Sequence, residues 1–110
     1  MITLKKELDL LTGRMKEQEC YINYLETLGK IRQNPKLYEK LNEYRRKNVE
    51  LHHQKLTLKD ESSLEKQYHD FLEEDLIHQF LYWEQQTLKM LRMIYKEISE
   101  TLVLDYSFLT

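Results

Sequence analysis

Four histidines, His52, His53, His69 and His78, are the side chains best suited to hold a metal or move a proton near neutral pH. His52 and His53 are adjacent, so on a helix they point about 100° apart and do not readily share one ion. His69 stands four residues after Glu65 and four before Glu73, and His78 stands four after Glu74, so each His–Glu pair falls on one helical face. Such a pair can contribute to a metal site, but it more often forms a surface hydrogen bond. A di-iron bundle needs two Glu-x-x-His motifs and a zinc protease needs His-Glu-x-x-His, and the chain supplies neither set. No metal site and no cofactor are expected.

The nucleophiles lead no further. Cys20 has Glu17 and Glu19 close by in sequence, and negative neighbours raise a thiol pKa, so Cys20 reads as a packing residue. As the single cysteine it also cannot close an internal disulfide. Two isolated glycines, Gly13 and Gly29, do not make a phosphate-cradling loop, and the acidic run Glu73, Glu74 and Asp75 reads as a solvated helix surface. With no constellation that assembles a reaction centre, no catalytic residue and no enzyme activity are expected.

Two stretches carry binding chemistry instead. Lys36, Lys40, Arg45, Arg46 and Lys47 cluster with Tyr38 and Tyr44 interleaved, as on a phosphate-contacting face, and this is the alternative reading of an RNA-contacting accessory protein. Glu39, Glu43 and Glu50 stand among them, and the formal charge of the whole chain is −2, so no field favours nucleic acid or an anionic membrane. The second stretch is "FLYWEQQ", Phe80 to Gln86. Its four leading aromatic and aliphatic residues cover more than one helical face and so cannot all enter one intramolecular core. The expected surface for a partner chain is Ile77, Phe80, Leu81, Trp83, Leu88, Leu91 and Tyr95.

These residues must be positioned by helices. Two glycines and one proline in 110 residues leave few turns, and a β-rich fold would need more. Leu4, Leu8, Leu11, Met15, Ile22, Leu25 and Leu28 recur at steps of three, four or seven, which predicts a first helix. Gly13 is its expected weak point, at which residues 1–13 separate or fray. Pro35 suits the first position of a second helix with Asn34 as its N-cap, and Leu37, Leu41, Tyr44, Asn48, Leu51, Lys55 and Leu58 then run on as a seam, which polar Asn48 and Lys55 interrupt. Ser62 and Glu65 form a capping-box pattern that predicts a third helix from near residue 61, running to about residue 102. Asp75 can cap a new helix, so this third helix admits a break near residues 73–76. The tail, 103–110, is apolar without periodicity and reads as an extended segment.

The expectation is therefore one all-α domain over 1–110, an elongated bundle of three long antiparallel helices that exposes its flanks and oligomerises. No leader and no 18-residue apolar run is found, which predicts a cytoplasmic protein without membrane insertion.

The Asn-Pro helix start, then "LYEKLNEYRRKNVELHHQK", a short polar turn, and "FLEEDLIHQFLYWEQQTLKMLRMIYKEISETL" together resemble the YlbF/YmcA-like family of small bacterial helical proteins, over residues 15–104. The resemblance implies a non-enzymatic regulator that self-associates as a homodimer or larger assembly. It also implies other regulatory partners, in a complex acting on competence, sporulation and biofilm formation through an endoribonuclease that processes mRNA. Some members of that complex hold iron–sulfur clusters through several cysteines. Cys20 alone does not supply such a set, so cluster binding is not expected here.

Overall fold

The computed structural model describes residues 2–53 and 58–109, so Lys55 of the predicted seam lies outside the described residues. The described chain is helical, with six α-helices in order: α1 (Ile2–Lys16), α2 (Glu19–Arg32), α3 (Pro35–His53), α4 (Leu58–Gln67), α5 (His69–Glu73) and α6 (Asp75–Thr101). A 3-10 turn, Ser107–Leu109, follows.

Asn34 and Pro35 act as their types dictate. The Leu37 N–H donates to Asn34 Oδ1 at 3.2 Å, so the asparagine caps α3 while the proline, which has no N–H to lose, occupies the first turn. The other boundaries differ from expectation. The first predicted helix is interrupted at Glu17 and Gln18 rather than at Gly13, which lies inside α1. Gln18 takes an extended conformation, φ −72° and ψ 141°, which breaks the helical path and redirects α1 from the line of α2.

The predicted third helix is three helices. α4 starts at Leu58, so Ser62 lies within it and not at its cap. A break falls at Tyr68, whose backbone leaves helical geometry (φ −106°, ψ 15°) while its side chain stays buried. The break expected near 73–76 is present, with Glu74 at the N-cap position of α6 and Asp75 as the first helical residue, accepting a hydrogen bond from Gln79 at 3.1 Å. The tail lacks regular structure from 103 to 106 before the 3-10 turn.

Cys20 Sγ lies 4.0 Å from Met90 Sδ and the Tyr24 ring 5.4 Å from that of Phe80, so α2 and α6 run in opposite senses along each other. The buried core is drawn from α2 (Leu28, Ile31), α3 (Leu41), α4 (Leu64), the α4–α5 junction (Tyr68), α5 (Phe71) and α6 (Ile77, Phe80). It sits where the first half of α6 meets the end of α2. The second half of α6, about 20 Å of helix, and all of α1 lie outside it.

The shape follows. The molecule measures 46 × 38 × 19 Å, one dimension being only about two helix diameters. Its radius of gyration is 18.0 Å, where a compact chain of this length has about 13 Å. It exposes 9433 Å², against about 6,600 Å² for a compact monomer of its mass.

Candidate functional site

The predicted partner residues on α6 divide into two groups. Ile77 and Phe80 are fully buried, so they belong to the chain's own core and are unavailable to a partner, a correction to the expected surface. Phe80 is held between the Tyr24 ring and the Arg45 guanidinium, which lies 5.6 Å from its centroid. Arg45 also bridges to Glu84 at 2.8 Å, tying α3 to α6. Leu81 packs partly buried against the core, and half-buried Trp83 meets the exposed Tyr82 edge-on at 4.9 Å. These anchors turn the first half of α6 inward.

Past Met90, which still meets Cys20 of α2, the helix loses its covering neighbours but keeps its pattern. Leu88, Leu91, Tyr95, Ile98 and Leu102 follow one another at steps of three and four, and their exposure ranges from 40% to 73%. Ile98 and Leu102 extend the set named from sequence; the signal was their spacing, which continues that of Leu91 and Tyr95. Leu88 and Leu91 also form the rim of a groove of about 610 Å³ between α2, α3 and α6, with Tyr21, Tyr24 and Tyr44 on its walls. Thr87 lines this groove too, its buried hydroxyl without a hydrogen-bond partner in the described structure. α1 presents a second stripe, Leu4, Leu8 and Leu11, likewise exposed.

The basic stretch is largely engaged within the chain. Lys40 lies over the Phe71 ring at 5.2 Å, Arg45 is held by Glu84, and Lys47 pairs with Glu43 at 3.2 Å and lies over the Tyr68 ring. Tyr68 donates its hydroxyl proton to Glu43 Oε1 at 2.5 Å. These two bonds to the carboxylate, Tyr68 first and Lys47 second, hold the Glu43 pKa below its ordinary value, while Tyr68 first and Glu43 second raise that of Lys47. Burial, followed by the charges of Glu65 and Glu84, pushes the Tyr44 hydroxyl up. A set of cations bonded this way serves helix packing, and no observation favours the RNA-contacting reading.

The histidines lie apart from these surfaces. His69 reaches Glu73 at 3.6 Å on the exposed side of α5, and His69 and His78 both line an open cleft of about 590 Å³. His52 Nδ1 is 3.1 Å from the Asn48 carbonyl, and Cys20 is half-buried against Met90. Among the described residues, no three of His, Cys, Asp or Glu converge as a metal-holding group.

A family profile described as "Control of competence regulator ComK, YlbF/YmcA" matches residues 4–103, nearly the whole chain. The chain belongs to the YlbF/YmcA family. Membership ties it to the control of competence, the role by which the family is described. The match takes in α1 and all of α6, so both exposed stripes of this YlbF/YmcA chain lie within the family's span. Comparisons with curated proteins and with solved structures each returned no match. Among the described residues, no helix is long and apolar enough to cross a membrane.

Proposed function

We propose that this YlbF/YmcA chain is a non-enzymatic regulatory adaptor in competence control, and that it works by seating the apolar side of α6 against another chain, first of all a second copy of itself. One observation carries this reading. The stripe from Leu88 to Leu102 keeps helical spacing for four turns after the chain's own core has ended, and it is left in water. Apolar side chains in an ordered row, on a chain that exposes far more surface than its mass requires, are what an interface half looks like before its partner arrives. Regulatory proteins of the same pathway, including an endoribonuclease complex, are further partners that the family resemblance suggests.

Sedimentation velocity across a concentration series tests the reading. The wild-type chain is expected to assemble, and Leu91→Asp, on an exposed position, is expected to weaken assembly by roughly tenfold or more while leaving the helical circular dichroism unchanged. His78→Ala, which lies off the stripe, should assemble like wild type. A wild-type chain that stays monomeric at the highest concentration overturns self-association.

A further inference from the structure

The exposed stripes on α1 and α6 are of one kind. Leu4, Leu8, Leu11 and the half-buried Met15 are spaced four, three and four residues apart; Leu88, Leu91, Tyr95, Ile98 and Leu102 are spaced three, four, three and four. The first spans 12 residues and the second 15, seams of about 17 and 21 Å. Between them they hold most of the large apolar side chains that the helices leave in water.

At its base α1 is anchored: Met15 and Lys16 share a cleft of about 150 Å³ with Tyr21, Met90 and Leu91. A straight continuation of α2 back beyond its first residue would run along α6 and cover residues 91–102 within the chain, because α2 lies antiparallel to α6 and begins beside Met90. The extended backbone at Gln18 prevents it and turns α1 off that path. Leu4 and Leu8 are consequently 63% and 57% exposed, and Ile98 and Leu102 stay uncovered.

We infer that α1 is an exchanged arm: its leucine stripe packs on the second half of α6 of a second copy, and the second copy returns the same contact. This rests on the self-association proposed above and specifies its contact. Three observations favour a second copy as the occupant. The two stripes share the same alternation of three- and four-residue steps, and because both are on one chain, a twofold arrangement satisfies all four at once. The α6 stripe is broad, since Ile94 and the small Ser99 and Thr101 flank it, and such a width suits a helix with more than one neighbour, as in a four-helix core built from two α1 and two α6 segments. The surplus surface, about 2,800 Å² per chain and so about 5,600 Å² for a pair, is at the upper end of what permanent homodimers remove from water, well above what a short peptide covers.

The test uses full-length chains in a Cys20→Ser background, one preparation carrying Leu8→Cys and a second, differently tagged, carrying Ile98→Cys. Mixed and oxidised, they are expected to give a disulfide between the two tags, and Leu8→Asp is expected to raise the dimer dissociation constant by roughly tenfold or more, with Lys5→Asp as the silent control. A dimer that survives Leu8→Asp and forms no mixed disulfide overturns the exchanged arm and leaves self-association through α6 standing. A chain carrying both cysteines that closes its disulfide internally, as a monomer, also overturns the exchange, with α1 folding back on its own α6. Monomers without any such disulfide overturn both readings, leaving a different protein to cover the stripes.

Discussion

Glu43 joins two elements through one half-exposed carboxylate. Its carboxylate accepts from the Tyr68 hydroxyl and from Lys47, linking α3 to the α4–α5 junction, where Tyr68 also fills the core. Its pKa lies below the ordinary 4.5, so the stabilisation it contributes is present above that value and is lost as pH falls through the lower, folded one. Lys47 is the mirror case: its pKa is raised above 10.5, and its contribution is present below that value and lost as pH rises through the folded one. Thermal melts from pH 7 down to about 3 should therefore show a fall in wild type that Glu43→Gln reduces, since the neutral amide has no carboxylate to protonate. An unchanged acid slope in the variant would assign the acid sensitivity to other carboxylates. None of this was legible in sequence, where Glu43 counts only as one acid among five bases. Its role depends on Tyr68, twenty-five residues away.

Helix boundaries were legible where a local rule is strict and illegible where it is weak. Asn34–Pro35 is strict: proline tolerates few backbone positions and asparagine offers the N–H groups of the first turn an acceptor, so the start of α3 follows from two residues. Asn34→Ala is expected to cost about 1 kcal/mol in chemical denaturation, and Asn34→Ser only a fraction of that. Gly13 is weak, since glycine costs a helix about 1 kcal/mol without forbidding it, and α1 passes through. The break at Gln18 carries no comparable signature, and the one at Tyr68 falls at a side chain that both fills the core and reaches Glu43.

For the molecule as a whole, α6 has a core half and an exposed half. Phe80→Ala, in the first half, removes a fully buried ring that packs tilted against Tyr24, and it is expected to destabilise folding by about 3–5 kcal/mol in urea titration. Leu91→Asp, in the second half, should change that midpoint little at concentrations where the chain is monomeric, because the side chain is already 46% exposed. The sequence alone determined the helical class, the capped start of α3, the apolar stripes and the family, because periodicity and cap chemistry act over a few residues and a whole-chain pattern survives in the residue order. The tertiary structure decided which part of each stripe is core and which is surface. Ile77 and Tyr95 look alike in the pattern, but one is fully buried and the other 73% exposed, because burial depends on where α2 begins beside α6 and on which way α1 leaves Gln18.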